Sequence, residues 1–238
     1  MQELSFPVMS YEAGELENLM VIDECVHKMT ELLGPVSEWE WATLRRNTLA
    51  ECVLDVVFSI RMRHSVVDGI IERWNAWASG RDMPMAKCAS VLCDVHGVEG
   101  PASAELPEIL DGILPRNRVA GRLKTDVVAD IAGKLSQEGI EDIADFRDAV
   151  RRDCATVRHL WLGVKGLGVG SWNQLRLISG CDVVDVSPAV RRQLGCVSDA
   201  PIEEVEGVLN GVAQELGVSA VVAEYGLSMI ANARKSVA

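Results

Sequence analysis

Val164-Lys165-Gly166-Leu167-Gly168-Val169-Gly170 stands between two helical apolar patterns, one on Val157, Leu160, Trp161 and Val164, the other on Trp172, Leu175, Leu177 and Ile178. The arrangement reads as helix, tight turn, helix. Glycines at spacing two permit positive φ and remove side chains, so amides at the turn and at the start of the second helix can approach a phosphate oxygen closely. Such a turn grips a nucleic-acid backbone without reading its sequence. The Gly-x-Gly-x-Gly spacing, with no strand pattern before it, differs from a Gly-x-Gly-x-x-Gly nucleotide loop. A plain interhelical turn is the alternative that the residues leave open.

Working outward, helical spacing recurs almost everywhere. Leu16 to Leu33 carries a broad apolar stripe that ends at Gly34-Pro35, and the next helix begins at the cap-like Ser37. Leu44 to Ile60 is apolar nearly all round from Ala50 onward, which predicts a helix buried in the middle of a bundle. Val66 to Trp77, Met85 to Val95 and the short Leu106 to Leu114 follow, and then a helix from Arg118 to Leu135 with Asn117 as its N-cap. Ile140 to Ile143 opens the next helix, and Pro201 to Leu216 and Ser219 to Ala233 close the chain, separated at Gly217. No strand alternation persists, so the expected class is all-α with ten or more short helices.

Composition narrows the function classes. The 238 residues are 48% apolar, enough for a real core, and no run of 18 apolar residues is present to span a bilayer. The start, Met1-Gln2-Glu3-Leu4-Ser5-Phe6-Pro7, lacks the basic-then-apolar order of a signal peptide, and a cytoplasmic protein with no membrane partner is expected. Seven scattered cysteines read as reduced thiols. Cys88 and Cys93 have His96 nearby but no second pair at zinc spacing, so no metal site is expected. Net charge is −12, which argues against a generic nucleic-acid binder. The acidic residues cluster in Glu12–Glu40 and Asp199–Glu215, leaving room for a protein partner at the acidic termini. Arg45, Arg46, Arg61, Arg63, Arg118, Lys124, Arg151, Arg158, Lys165, Arg176, Arg191 and others make the middle basic. Solvated helix faces balanced by nearby carboxylates are the plainer account of that basic middle.

The hairpin, the run Asp182-Val183-Val184-Asp185-Val186-Ser187-Pro188-Ala189-Val190-Arg191-Arg192, and Ala50 to Arg63 together resemble the helix-hairpin-helix (HhH-GPD) DNA glycosylase superfamily over residues 40 to 195. The resemblance implies a two-lobed fold. Residues 40–180 would form a six-helix barrel ending in the hairpin, and 1–39 with 181–238 the second lobe. DNA is the implied partner, a duplex with a flipped base. Lys165, Gly166, Gly168, Gly170, Arg61, Arg63 and Arg191 would contact it, and Trp172 would stack on the base or pack as core. No cofactor is required on this reading, although a monovalent cation at the hairpin would fit. An iron–sulfur loop is excluded, because only Cys196 follows Cys181.

The family's catalytic aspartate is missing. Matching Val190-Arg191-Arg192 to the apolar-basic run that follows it puts Ser187 in its place, and a neutral hydroxyl cannot supply the same electrostatic stabilisation. Gly170 stands where bifunctional members carry a nucleophilic lysine. Two carboxylates could substitute: Asp185, by a change of loop register, and Asp55, which lies in an apolar helix where burial would suit it to proton donation. Asp55 reads equally as a structural hydrogen-bond partner. Two functions therefore stand side by side. One is a DNA enzyme that excises or modifies a flipped base, including phage-type transfer to a thymine methylene. The other is a binding module, for DNA or another ligand, without chemistry.

Overall fold

The computed structural model describes residues 13–79, 114–196 and 199–233. The helices expected at Met85–Val95 and Leu106–Leu114 lie outside these residues, save Leu114 itself. The described chain is all-α apart from one two-stranded hairpin, with elements α1 (Ala13–Leu33), a 3-10 turn (Val36–Glu38), α2 (Glu40–Thr43), α3 (Leu49–Ser59), α4 (His64–Ser79), β1 (Arg118–Val119), β2 (Arg122–Leu123), α5 (Lys124–Gln137), α6 (Ile143–Leu162), α7 (Val169–Ser179), α8 (Pro188–Gln193), α9 (Ile202–Leu216) and α10 (Ala220–Ala233). They divide into two compact units, one of the residues up to Glu40 with those from Val186 on, the other Trp41–Asp185.

In Trp41–Asp185 the centre is α3, whose residues Leu49 through Phe58 are all buried, as its all-round apolar sequence predicts. The helix begins five residues later than the periodicity predicts. Thr48 Oγ1 accepts from the Glu51 amide at 3.1 Å while Glu51 Oε2 accepts from the Thr48 amide at 3.1 Å, a reciprocal cap. Just before it, the Arg46 amide donates to Ile178 O at 3.0 Å, a tertiary bond that keeps this backbone out of the helix. Around α3 pack Ile70 and Trp74 of α4, Val128 and Ile131 of α5, Phe146 and Trp161 of α6, and Trp172, Leu175 and Ile178 of α7.

The helix expected from Arg118 is corrected. Arg118–Val119 pairs antiparallel with Arg122–Leu123, with Arg118 opposite Leu123 and Val119 opposite Arg122. Ala120 and Gly121, at φ 51° and 84°, form a two-residue turn that a helix cannot accommodate. Asn117 does not cap a helix. Its carbonyl accepts from the Lys124 amide at 2.8 Å and so closes the hairpin, and the helix starts only at Lys124.

Helix α6 opens on an Asp142 cap and kinks at Asp153 (φ −156°, ψ 82°), whose carboxylate accepts from the Thr156 amide at 3.0 Å and caps the second stretch. Helix α7 ends at Gly180, left-handed at φ 71°. A Cβ there would lie 2.8 Å from Arg147 Nη2.

In the other unit α1 packs on α9 and α10, and α8 on α10. Trp39 closes the end of α1 by donating from Nε1 to Gly34 O (2.9 Å) and Leu33 O (3.1 Å). Lys28 Nζ reaches Gln193 Oε1 at 2.6 Å. Gly211 leaves room for Ile22, whose Cδ1 a Cβ would strike. Helices α9 and α10 start within a residue of expectation because their apolar spacing and the left-handed Gly217 between them are local signals. Among the described residues no single helix is long and apolar enough to cross a membrane; α9 and α10 together reach that composition but bend by 98°.

Candidate functional site

The glycine hairpin folds as α6, a six-residue turn and α7. Gly166 is left-handed (φ 109°), and a Cβ on it would meet Val119 Cγ1 at 3.2 Å, so the β-hairpin packs against the turn. Gly168 is the extended N-cap of α7. Its amide donates to Ser171 Oγ at 3.0 Å, and the same hydroxyl donates to Gly168 O at 2.7 Å. Trp161 Nε1 also donates to Ser171 Oγ, at 2.9 Å, which ties the end of α6 to the first turn of α7. Among the described residues, a Cβ on Gly168 or Gly170 would meet nothing within 4 Å. Among the described residues the amides of Val169, Gly170 and Ser171 have no acceptor, as the first turn of a helix requires. Lys165 is exposed beside them and makes no bond within the described residues.

The end of α3 lies at the same end of this unit. Arg46, before α3, bonds to Ile178 at the end of α7, and Asp55, further along α3, accepts from Gln174 Nε2 at 3.2 Å. The two helices therefore run antiparallel, with the C-terminus of α3 beside the N-terminus of α7. Lys124, at the start of α5, donates to Phe58 O and Ile60 O, both at 2.7 Å, which brings the β-hairpin to that end too. Arg61, the first residue beyond these carbonyls, is exposed and left-handed at φ 59°, and Arg63 is exposed. Arg61, Arg63, Lys165, Gly166, Gly168 and Gly170 are thus gathered at one end.

The candidate acids are bound up differently. Asp55 is fully buried, and its Oδ2 takes the Arg46 guanidinium at 2.5 Å from Nη2 and 2.7 Å from Nε, while Oδ1 accepts from Ser59 Oγ (3.0 Å) and Gln174. Arg46 Nη2 also reaches Asp68 at 2.7 Å. Every partner offers Asp55 a hydrogen-bond donor or a positive charge, so both of its oxygens are engaged within the fold. Asp185 Oδ2 accepts from Trp172 Nε1 at 2.8 Å and pairs with Arg158 Nε at 3.0 Å, so it fastens the chain after α7 back onto both hairpin helices. Ser187 is the N-cap of α8: its Oγ accepts from the Val190 amide at 3.3 Å, ahead of Pro188 at the first helical position.

Of two expected contacts, Trp172 takes its packing alternative and Arg191 has a structural partner. Trp172 has no exposed surface; it packs edge-on to Phe146 at 6.1 Å with Arg176 5.7 Å from its ring, so it is core and presents no face for a base to stack on. Arg191 belongs to the other unit, where its Nη1 donates to Ala200 O at 2.8 Å and closes the loop after α8.

The sequence gives no sign of the partners that decide these roles: Arg46, Ser59 and Gln174 for Asp55, Arg158 for Asp185. They come from three or more elements, and only the i, i+4 spacing of Asp55 and Ser59 is a local signal. Among the described residues no three His, Cys, Asp or Glu side chains are grouped to hold a metal, and Cys88, Cys93 and His96 lie outside those residues. Burial pushes the Cys25 thiol up to about 11, and Cys52, Cys181 and Cys196 also rise chiefly through burial, so these are packed thiols rather than nucleophiles.

Searches of curated proteins and of solved structures returned no match. A family model described as a domain of unknown function (DUF8548) matches residues 23–227, and the chain belongs to that family.

Proposed function

We propose that this chain binds DNA through the α6–α7 hairpin, as a helix-hairpin-helix protein of glycosylase-like architecture that acts on a base flipped from the duplex. One observation carries the reading: first-turn amides with no acceptor among the described residues, beside Gly168 and Gly170, with exposed Lys165, Arg61 and Arg63 at the same end of one unit. Backbone amides at a helix start and flanking cations suit a phosphodiester. They do not require a positive chain overall, because counterion release depends on the cations at the contact.

The chemical step is the excision or modification of the flipped base. Asp55, one helical turn from the end of α3, is the acid assigned to it. A second reading, a DNA-binding module without chemistry, is favoured by the structural engagement of Asp185 and Ser187 described above.

Fluorescence anisotropy on labelled duplex and single-stranded oligonucleotides carrying damaged or hypermodified bases, followed by single-turnover mass analysis, tests both. Binding at low salt that weakens in Lys165→Glu supports the hairpin interface. Base loss or a mass change that vanishes in Asp55→Asn supports the enzyme, and binding without processing supports the module. Absence of binding at low salt would end the DNA reading.

A further inference from the structure

Lys124 is 1% exposed and has no carboxylate partner among the described residues. An ammonium group in such a place is costly unless its charge is met. Here it is met by two carbonyls at the C-terminal end of α3, Phe58 O and Ile60 O, each 2.7 Å away, and by the Phe58 ring 5.6 Å off. The negative end of a helix dipole and an aromatic face are both suited to a cation. A leucine or methionine would fill this site without desolvating a charge, so the amine is explained by what it holds.

What it holds is the peptide leading into Arg61. Ile60 leaves the helix at φ −60°, ψ 107°, and Arg61 follows in the left-handed region, which a side chain bearing a Cβ adopts at a cost. The Met62 amide then bonds back to Ser59 O at 3.2 Å. Lys124 itself is anchored directly behind the β-hairpin, whose Val119 lies against Gly166 of the α6–α7 turn. We infer that Lys124 is a positioning residue. It clamps the end of α3 so that Arg61, Met62 and Arg63 are presented beside the glycine turn, to the backbone of a bound nucleic acid. The clamp is a statement about this chain alone, whereas its use toward DNA rests on the function proposed above.

The test separates the two parts. Native-state hydrogen exchange on the full chain compares the parent with Lys124→Met, reading the Met62 amide against the Trp172 amide, which bonds to Gly168 O at 3.0 Å. Exchange at least tenfold faster at Met62 with Trp172 unchanged is the expected result, and unchanged protection at Met62 in the folded variant overturns the clamp. If Lys124→Met does not fold, Lys124→Arg, which keeps the charge but cannot place one nitrogen between both carbonyls, is read the same way. For the DNA part, Lys124→Met and Arg61→Ala should each weaken binding to a 20-base-pair duplex, and the double variant should bind no worse than Arg61→Ala. A loosened Met62 with parental affinity overturns the positioning role toward DNA. A parent that binds no duplex defeats the proposed function, while the exchange experiment still decides the clamp.

Discussion

The two ends of Trp41–Asp185 differ in how they treat their arginines and exposed lysine, although Lys124 and the Arg122–Asp130 pair are engaged at the second end too. Where α3 begins and α7 ends, cations meet anions or carbonyls. Arg46 joins Asp55 and Asp68, Arg151 clasps Asp182 with Nε at 3.0 Å and Nη2 at 2.9 Å, and Arg147 Nε donates to Ser179 O at 2.6 Å. The Asp182 carboxyl is held below its usual range by the hydrogen bonds from Arg151. At the other end, Arg61, Arg63 and Lys165 are exposed, and Lys165 makes no bond within the described residues. The first set fastens helices together. The second set is available to a ligand. A basic stretch in sequence is therefore weak guidance to a nucleic-acid surface, since pairing in space decides which cations remain.

The largest test of this contrast is at the paired end. Arg46→Met strands the Asp55 carboxylate with no exposed surface, and should cost about 3–5 kcal/mol in urea unfolding, as removal of one partner of a buried pair does. Adding Asp55→Asn should recover part of that loss; failure to recover any would mean that Arg46 acts chiefly through Asp68.

Next in size is a pH effect at the open end. Burial pushes the Lys124 amine down to about 8, against about 10.4 for an unfolded lysine. Between these values the unfolded chain binds the extra proton, so stability rises with pH across the window. Relative to Lys124→Met, the parent should gain on the order of 3 kcal/mol between about pH 8 and pH 10.4, read from unfolding curves of both proteins. Parallel curves would show that the amine is not desolvated.

Smaller effects sharpen the contrast. Lys165→Glu and Arg61→Glu should each lower duplex affinity roughly tenfold and flatten the salt dependence by about one ion, with stability changed by no more than about 0.5 kcal/mol. Arg151→Glu should do the reverse, disturbing the Asp182 contact while leaving affinity nearly as it was. Last, Ser187→Ala should cost about 1 kcal/mol as a lost helix cap, whereas Ser187→Asp, an equally good cap, should be close to neutral in thermal melts. A large loss in Ser187→Asp would show that the added charge is not tolerated at that position.

Much of the fold was legible because it rests on local signals. The buried course of α3, the hairpin glycines, the breaks at Gly34 and Gly217 and the two closing helices all follow from spacing and backbone freedom. The misreading at Arg118 has a specific cause. Arg-Val-Ala-Gly-Arg-Leu fits a helical face as well as a hairpin, and only the left-handed Ala120–Gly121 turn, packed against Gly166, excludes the helix. The site was legible in part. Gly166 and Gly168 form the turn before α7 and Lys165 is exposed in it, whereas Trp172, Arg191, Asp185 and Ser187 have structural partners.

By itself the sequence determined the helical class, the helix–turn–helix at the centre, and a serine rather than a carboxylate at position 187, since each is a matter of residue identity or near-neighbour spacing. The tertiary structure alone decided which charges are neutralised, why Lys124 is buried, and that Arg61 shares an end with the α7 amides. These depend on groups distant in sequence, and electrostatic interaction falls off with distance in space rather than with separation along the chain.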